Sequence, residues 1–341
     1  MSAHLVAETL SEYGATTRVA LADYLGPRRP QRHLYDLVAD YPRRGGRMFR
    51  PSLCIASARV FGAAIDDAVR SAAAVELLHN AFLVHDDVED ESEQRRGGPT
   101  LNASHGPAVA VNVGDALAML GMRAIIDDRF RFGPVLTIQV LRETERMASE
   151  SIEGQAIELG WRRDNATALT DGDYLGMVLK KTCWYTTIYP TRLGALIATH
   201  DERHLDRFVR FGFFLGAAFQ IQDDILNLVG EEARYGKELD GDLLEGKRTL
   251  ILIHLLQQMD AIERARLTEF LALRRAERTH TDVRWVRERI DAYGSLEHAR
   301  QVAHAFAGAA RHECAALFGG FPESRDKRFI EALPQWVIER S

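Results

Sequence analysis

The sequence predicts an all-α protein, and three observations support this class of fold. The 341 residues include ten prolines, none of them between positions 191 and 321, which permits long helices because proline costs about 3 kcal/mol inside one. Residues 205–229 form an apolar stretch with helical spacing. Alternating strand patterns and Asn-Gly hairpin signals are absent. We expect one helical domain over residues 1–341, although the length alone also allows two.

Local signals predict further elements along the chain. Pro134 is suited to the first position of a helix, which extends to about Leu159. Residues 162–173 are polar and predict a surface loop. Ser295 is predicted to be the N-cap of a helix near the end of the sequence.

Composition limits the class of function. Hydrophobic residues make up 46% of the chain, enough for a sizeable core, and a net charge of −6 argues against a dedicated nucleic-acid-binding protein. The three cysteines are far apart, so neither a disulfide framework nor a zinc site is expected. Glu8, Glu12 and Arg18 stand where a signal peptide would be apolar, and no uncharged apolar run reaches 18 residues. These features predict a globular cytoplasmic protein without a membrane span.

Residues 86–93 contain six acidic side chains at the expected C-terminal end of a helix. The helix macrodipole is negative there, so it disfavours carboxylates. Asp86 and Asp90 are four residues apart and share a helix face with Val75 and Phe82. A run of charges is most often a solvated surface, but a face that changes abruptly from apolar to acidic favours the mouth of a pocket.

A second acidic pair, Asp223 and Asp224, lies inside the long apolar stretch and is followed by Asn227. Adjacent carboxylates in an apolar setting are costly unless they are paired or bound to metal. A buried arginine partner is one explanation. The other is that two acidic clusters on facing helices hold a hard cation through oxygen ligands, and Mg²⁺ carrying a diphosphate suits such a site.

Seven short motifs occur in order along roughly residues 45 to 250. They are GGRMFRP (45–51), DDVED (86–90) with Arg95-Arg96-Gly97, Gly154-Gln155, Lys181-Thr182, FQIQDDILN (219–227), Gly236-Lys237, and the segment from Asp242 to Arg248-Thr249. In these motifs and their order the sequence resembles the trans-isoprenyl diphosphate synthase (polyprenyl synthetase) family, most closely its short-chain geranylgeranyl diphosphate synthases.

The resemblance implies an isoprenoid synthase-type helical bundle around a deep central cavity, usually as a homodimer. It also implies a prenyltransferase reaction, in which isopentenyl diphosphate condenses head to tail with an allylic diphosphate. Three Mg²⁺ ions per active site, with Mn²⁺ as a substitute, would be held by Asp86, Asp90 and Asp223.

The resemblance also assigns two substrate-binding groups. The residues for the allylic diphosphate are Arg95, Lys181, Thr182, Gln220, Lys237 and Lys247. The residues for isopentenyl diphosphate are Arg47, Arg50, His79 and Arg96. Arginine suits this role because its planar fork binds two diphosphate oxygens at once. A core histidine with satisfied hydrogen bonds is the alternative for His79, and surface charges are the alternative for Arg50 and Arg96.

Three positions depart from the family pattern. Arg47 replaces the family lysine and Met48 replaces the arginine that follows it, so a positive charge survives at residue 47 alone. Asn227 replaces the last aspartate that many members carry in the second motif. This change removes one negative charge but keeps an oxygen ligand, and it resembles the eukaryotic-type geranylgeranyl diphosphate synthases.

Product length in the family is related to the residues just before the first acidic motif. Animal farnesyl-type members carry aromatic residues five and four positions before the first aspartate, where this sequence has Ala81 and Phe82. One helical turn rises about 5.4 Å, comparable to an isoprene unit. The small Ala81 therefore predicts a cavity floor one turn deeper and a C20 product, geranylgeranyl diphosphate.

Three alternatives remain on the sequence alone. A farnesyl (C15) or longer-chain synthase of the same family differs only in its product. A class I terpene cyclase shares the helical fold and the first motif, but the Asn/Asp-Ser-Glu triad typical of cyclases does not follow Asp223. A non-catalytic synthase subunit tends to lose one acidic motif, whereas both are nearly complete here.

Overall fold

The computed structural model describes residues 2–230 and 239–340. Helices dominate these residues, which confirms the predicted fold class. The longer helices, in chain order, are α1 (Ser2–Leu25), α2 (Phe49–Val60), α3 (Ile65–Glu89), α4 (Pro107–Asp127), α5 (Arg129–Arg163), α6 (Asp171–Val178), α7 (Tyr189–Thr199), α8 (Phe208–Val229), α9 (Leu250–Gln258), α10 (Ala261–Ala272), α11 (His280–Ala292), α12 (Ser295–Phe318) and α13 (Arg325–Glu339).

Short elements connect these helices. A π-helical segment, Leu179–Ile188, joins α6 to α7 without a break. An antiparallel hairpin pairs β1 (Gln94–Arg95) with β2 (Gly98–Pro99) just after α3. The other short helical segments are Gln31–Tyr35, Asp36–Val38, Asp40–Arg43, Leu101–His105, Leu205–Arg207, Gly241–Glu245 and Arg275–Glu277.

Two helices of the sequence analysis occur close to their predicted positions. Gly133 (φ 72°) breaks the first turn of α5, and Pro134 follows it as the first residue of the long regular part. α5 then continues past Leu159 to Arg163, so the predicted loop at 162–173 is shortened to residues 164–170. The apolar stretch at 205–229 forms a short 3₁₀ turn and then α8.

The predicted capping role of Ser295 is wrong. The N-cap of α12 is Gly294, whose φ of 66° places it in the left-handed region, and Ser295 is the first helical residue. The hydroxyl group of Ser295 lies 2.9 Å from Nδ1 of His254 on α9. Glycine adopts the left-handed cap conformation at no steric cost, so Gly294 can end the turn before α12. The Ser295 hydroxyl is then available to connect α12 with α9.

The π-helical segment packs against α8, which carries the second acidic motif. This segment lies between α5 and α8, while α3 packs along α4. Gly154 on α5 permits the close approach, because a Cβ at this position would lie 2.1 Å from the backbone nitrogen of Lys181. Buried apolar residues from Val6 on α1 to Val337 on α13 form one continuous cluster beneath the motifs.

Within the described residues, α4 is the one helix long and apolar enough, by length and composition, to cross a membrane. About 44% of its apolar stretch is buried. It packs along α3 and also contacts α5, as a core helix of a globular protein does. This packing is consistent with the expectation of no membrane span.

Candidate active site

The two acidic motifs lie near the C-terminal ends of α3 and α8. Asp86 and Asp87 are in the last turn of α3, and Asp90 caps that helix. Asp223 and Asp224 lie within about two turns of the end of α8. Carboxylates are disfavoured at a helix C-terminus, so both motifs need partners from other elements.

Basic side chains surround the first two aspartates of the first motif. Oδ1 of Asp86 lies 3.3 Å from the amine of Lys181, and its Oδ2 lies 3.5 Å from the guanidinium group of Arg95. Asp87 is buried and accepts hydrogen bonds from Nε of Arg95 (2.8 Å) and from the hydroxyl of Tyr41 (2.5 Å). Asp87 therefore belongs to the protein interior, whereas Asp86 remains partly exposed.

Asp90 is fully buried and contacts a basic residue on each side. Arg162, in the last turn of α5, donates to its Oδ1 at 2.5 Å. The amine of Lys247 lies 2.7 Å from its Oδ2 and 2.8 Å from a carboxylate oxygen of Glu245. Burial raises the pKa of Asp90, and Lys247 opposes that shift. Two cations in direct contact favour the ionised carboxylate.

Lys181 is buried among acidic groups. Its amine pairs with Glu158 on α5 as well as with Asp86. Burial acts to lower the pKa of Lys181, but Glu158 and Asp86 outweigh burial and raise it. Lys181 therefore stays charged beside the first motif.

The second motif combines one partly exposed carboxylate with a buried one. Oδ1 of Asp223 lies 2.8 Å from the guanidinium group of Arg340, close to the end of the chain. Asp224 is buried and accepts hydrogen bonds of 2.7 Å from the hydroxyl of Tyr174 and 2.7 Å from the amide of Gln220. The partners of Asp224 are thus neutral donors, unlike those of the first motif.

Asn227 has a structural role at the end of the second motif. Its side-chain oxygen accepts a 3.0 Å hydrogen bond from the backbone N–H of Asp242. Burial raises the pKa of Asp224 to about 8, and Asp242 is the next largest cause. Asparagine at position 227 therefore keeps the oxygen acceptor without adding a further negative charge to this region.

Two consecutive residues of the π-helical segment connect the two motifs. Lys181 contacts Asp86 on α3, while Thr182 donates a 3.0 Å hydrogen bond to the side-chain oxygen of Gln220 on α8. One turn of the π-helical segment thus contacts both α3 and α8 through side chains. These contacts limit the distance between the two helices.

The chain after α8 provides a second connection. Asp242 bonds to Asn227 of the second motif, and Lys247 pairs with Asp90 of the first. A small pocket lies between the loops that follow the two motifs. It is lined by Ser92, Glu93, Gln94, Arg95, Asn227, Gly241, Asp242, Glu245 and Lys247.

The structure therefore brings together five of the six residues predicted for the allylic diphosphate. These are Arg95, Lys181, Thr182, Gln220 and Lys247. The sixth, Lys237, lies outside the described residues.

A separate basic cluster contains Arg50 and His79. Nη1 of Arg50 lies 3.2 Å from Nε2 of His79, and its Nη2 donates to the hydroxyl of Thr186 at 2.9 Å. Guanidinium groups only donate, so Nε2 of His79 accepts and the neutral ring carries its proton on Nδ1. Burial, and then the charge of Arg50, lower the pKa of His79 well below its usual value, in agreement with a neutral ring.

Two donors of this cluster have no hydrogen-bond partner among the described residues. Nδ1 of His79 and Nε of Arg50 are buried without a hydrogen-bond acceptor in the part of the chain that the structure describes. A core histidine with satisfied hydrogen bonds would not leave this proton unpaired. Both N–H groups are thus available to an anionic ligand, because buried polar groups are otherwise nearly always paired.

Arg96 is held in part by Asn80 and Glu76, which lie on the same helix as His79. Its Nη1 donates to the Tyr41 carbonyl at 2.9 Å and to the side-chain oxygen of Asn80 at 3.0 Å, and its Nη2 lies 3.6 Å from Glu76. Burial lowers the pKa of Arg96, and Glu76 opposes the shift. Gly46 leaves room for this guanidinium group, because a Cβ there would lie 3.1 Å from its Nη2.

Arg47 stands apart from this cluster. It is exposed, and its guanidinium carbon lies 5.9 Å from the centre of the Trp336 ring. A cation over an aromatic face is attracted by the ring quadrupole, which holds this side chain toward α13. Of the four residues predicted for isopentenyl diphosphate, the structure groups Arg50, His79 and Arg96.

The residues predicted to set product length border the basic cluster. Ala81 is buried on α3, and Phe82 is partly buried with its ring edge-on to Tyr185 at 5.7 Å. Tyr185 also stacks on His79 at 5.8 Å and lies under Arg50 at 4.6 Å. Tyr185 therefore separates the basic cluster from Phe82.

The acidic side chains suit a hard cation by their chemistry. Within the described residues, no group of three acidic, histidine or cysteine side chains is close enough to hold one ion as it stands. Asp86 and Asp223 are nevertheless partly exposed carboxylates, at 22% and 32% of their side-chain area. Their oxygens are the ligands that Mg²⁺ prefers, and their partners Lys181 and Arg340 are long side chains able to move onto a phosphate.

Several residues that contact the site are not indicated by the sequence motifs. They are Tyr41, Glu158, Arg162, Tyr174 and Tyr185. Glu158 and Arg162 had a signal, because they follow Gly154 at intervals of four residues and so share its helix face. No sequence signal indicated the three tyrosines, since each contacts a residue distant in the sequence.

Two acidic motifs on neighbouring helices, connected by a lysine–threonine pair and flanked by an arginine–histidine cluster, define an all-α protein of the isoprenoid synthase class. The family model for polyprenyl synthetase matches residues 31–290. The chain is 34% identical over 229 residues to the short chain isoprenyl diphosphate synthase of Methanocaldococcus jannaschii, with 67% of each chain covered. The chain therefore belongs to the polyprenyl synthetase family and is an enzyme of the trans-prenyl diphosphate synthase type.

A solved structure supports the same fold over nearly the full length. The polyprenyl synthase from Caulobacter crescentus, crystallised with calcium and isoprenyl diphosphate, has a TM-score of 0.86 and 27% identity, covering 99% of this chain and 98% of that one. The family is metal-dependent. Its members differ in product, since relatives of this chain include geranylgeranyl, geranylfarnesyl and nonaprenyl diphosphate synthases.

Proposed function

We propose that this enzyme condenses isopentenyl diphosphate head to tail with an allylic diphosphate and that its main product is geranylgeranyl diphosphate. The observation that carries the proposal is the pairing of two distinct anion sites. One is the lysine-bridged pair of acidic motifs, and the other is the metal-free cluster of Arg50, His79 and Arg96. A reaction that joins two diphosphates needs one site for each.

The allylic diphosphate belongs at the acidic motifs. Asp86, Asp90 and Asp223 would hold Mg²⁺, with three ions per site, and the bound metal would stabilise the departing diphosphate. Lys181 and Lys247 already lie against Asp86 and Asp90, so their amines are placed to take up diphosphate oxygens.

Other residues near the acidic motifs act on the reacting carbons. The oxygens of Thr182 and Gln220 lie on the bridge between the motifs, where their dipoles would stabilise positive charge on the allylic carbon. The released diphosphate takes the final proton, since no side chain is assigned as the base.

Isopentenyl diphosphate belongs at the basic cluster. Nδ1 of His79 and Nε of Arg50 would donate hydrogen bonds to oxygens of its diphosphate. The guanidinium group of Arg96 would donate to further oxygens of the same diphosphate. Arg47 would join from the surface side. Tyr185 would then lie between this diphosphate and the growing chain.

The test is an assay with purified protein, Mg²⁺, labelled isopentenyl diphosphate and each of the C5, C10 and C15 allylic primers. A dominant C20 alcohol after dephosphorylation supports both the reaction and the product. A C15 or longer product keeps the reaction and rejects the C20 assignment. Hydrocarbon released from an allylic substrate alone would indicate a cyclase, and complete inertness a non-catalytic subunit.

Ala81 provides the sharper test of product length. Ala81→Phe places an aromatic ring one turn above the proposed floor, so the product should shorten to C15. Ala81→Ser is the matched control, because it adds a single atom and should leave the C20 product in place. An unchanged product profile in Ala81→Phe, with a normal melting temperature, would refute the proposed floor.

We also propose that the enzyme is a cytoplasmic homodimer that buries one face of α4 and α5. Large apolar side chains are exposed along these adjacent helices, and patches of this kind mark interaction surfaces. They are Val111, Met119, Ile126, Phe130, Val135, Ile138 and Ile152. An apolar patch shared by two copies gives a closed twofold contact.

Sedimentation of the purified chain tests the dimer. Wild type should sediment at twice the chain mass, and Met119→Glu with Val135→Glu should yield monomers. Ile262→Glu is the control, since Ile262 is an exposed apolar residue on another helix, α10. A monomeric wild type, or dissociation by the control alone, would reject this interface.

A further inference from the structure

Arg162 has no assigned role, yet it contacts a fully buried aspartate of the first motif. It lies in the last turn of α5, and Nη1 donates to Oδ1 of Asp90 at 2.5 Å. The Asp90 side chain is fully buried. Arg162 shares its helix face with Glu158 and Gly154, the two α5 residues that contact Lys181. One face of α5 thus supports both the lysine bridge and Asp90.

The two cations at Asp90 differ in their other partners. Lys247 contacts Oδ2 of Asp90 at 2.7 Å, but it also lies 2.8 Å from Glu245 and 3.8 Å from Asp242. Lys247 can therefore leave Asp90 without losing all its ionic contacts. Arg162, by contrast, forms an ion pair with Asp90 and with no other carboxylate of the described residues.

The chemistry of the two side chains reinforces this difference. A lysine amine is a compact charge on a flexible stem, whereas a guanidinium group is planar and fixes the direction of its hydrogen bonds. A buried carboxylate that lost both cations would be strongly destabilised. One cation must therefore stay when the other moves.

We propose that Arg162 is a positioning residue that holds Oδ1 of Asp90, so that Oδ2 is free to exchange Lys247 for a metal ion. This inference rests on the proposed function, because it takes Asp90 to be a metal ligand. It assigns the two oxygens of one carboxylate different tasks. Residues that orient a metal ligand in this way typically change metal affinity about 10- to 100-fold when they are mutated.

The test measures metal binding directly. Free Mn²⁺ is followed by its electron paramagnetic resonance signal while the protein is titrated in the presence of an unreactive thio-analogue of an allylic diphosphate. Arg162→Gln should weaken Mn²⁺ binding about 10- to 100-fold. Arg162→Lys, which keeps the charge but not the fork, should show a smaller loss and also covers the case in which Arg162→Gln fails to fold.

Arg163 offers a matched control on the next position of the same helix. Its side chain is 79% exposed and pairs with Asp164 at the surface. Arg163→Gln removes the same charge and should bind Mn²⁺ like wild type. Unchanged Mn²⁺ affinity in folded Arg162→Gln and Arg162→Lys overturns the proposal, and so does an equal loss in Arg163→Gln.

The outcome is separable from that of the proposed function. If wild type converts isopentenyl diphosphate and the Arg162 variants bind Mn²⁺ normally, only the positioning role fails. If wild type is inert with isopentenyl diphosphate but the Arg162 variants still lose Mn²⁺ affinity, the positioning role stands and the proposed reaction fails.

Discussion

The two acidic motifs occupy similar places near helix ends but are stabilised in different ways. In the first, Asp86, Asp87 and Asp90 all pair with basic side chains. In the second, Asp224 is buried between two neutral donors, Tyr174 and Gln220. The first motif is therefore a network of charges, whereas the interior of the second is a network of hydrogen bonds.

This difference follows from where the motifs lie on their helices. The first motif ends α3, so the negative macrodipole and the four carboxylates of the motif act together and need several cations. The second stands earlier on α8, in an apolar surrounding where a neutral donor costs less to bury than a charge. Asn227 fits this pattern, because it replaces a carboxylate with a neutral oxygen.

Each motif also keeps one aspartate partly exposed, Asp86 in the first and Asp223 in the second. For Asp223 and Asp224 the sequence left two explanations open, a buried arginine partner and binding of metal. Arginine contacts are observed at Asp87, Asp90 and Asp223. The buried pair at Asp87 is structural, whereas Asp86, Asp90 and Asp223 remain the proposed metal ligands.

The largest expected effect is on stability, in the charge network. Asp87→Asn leaves Arg95 buried without its main counter-charge, and breaking such a pair costs about 3–5 kcal/mol of unfolding free energy. Urea denaturation measures it. Asp66→Asn is the control, since Asp66 is exposed on the same helix and should change stability by less than about 0.5 kcal/mol. A loss below about 1 kcal/mol at Asp87 would contradict the charge-network description of the first motif.

The next effect is on catalysis and concerns the exposed carboxylates. Asp86→Asn and Asp223→Asn should each lower kcat/KM for isopentenyl diphosphate by about 10²- to 10³-fold, because each removes charge that would hold metal against the leaving group. Melting temperatures should stay close to that of wild type, since both side chains are partly solvated. Near-normal activity in Asp223→Asn alone would assign metal binding to the first motif only.

Much of this fold was predictable from local sequence signals. Apolar periodicity located α8, and the position of Pro134 after Gly133 located the regular part of α5. The acidic motifs and the lysines facing them were recognised from their order along the chain. These signals are local or follow a known order, so they can be read without coordinates.

The partners of the motifs were not predictable in the same way. Tyr174 and Asp224 are 50 residues apart, and Arg162 and Asp90 are 72 apart, so no periodicity connects them. Ser295 shows the same limit, because its hydroxyl group bonds to His254 on another helix instead of capping its own. Arg47 was predicted to bind isopentenyl diphosphate from its motif, and no local signal indicated its contact with the Trp336 ring on α13.

A smaller effect tests the hydrogen-bond network of the second motif. Tyr174→Phe removes one donor from the buried Asp224 and should lower the unfolding free energy by about 1–2 kcal/mol, because Gln220 still donates to the other oxygen. Tyr293→Phe is the control, since the Tyr293 hydroxyl donates to the partly exposed Glu263 and its loss should cost less. Equal losses of unfolding free energy in the two variants would show that burial of Asp224 does not strengthen its hydrogen bond with Tyr174.

The smallest expected effect compares the role of Arg340 at the second motif with that of Arg162 at the first. Asp223 is partly solvated, so its pair with Arg340 should contribute no more than about 1 kcal/mol. If Arg340 occupies the carboxylate that metal needs, Arg340→Gln should lower the Mg²⁺ concentration for half-maximal activity by up to about fivefold, the equivalent of that energy. The sign is opposite to that expected at Arg162, whose loss should raise the metal requirement.

Arg340→Lys should fall between Arg340→Gln and wild type. A raised Mg²⁺ requirement in Arg340→Gln would instead make Arg340 a supporting residue like Arg162, and the two motifs would then hold their arginines for the same purpose.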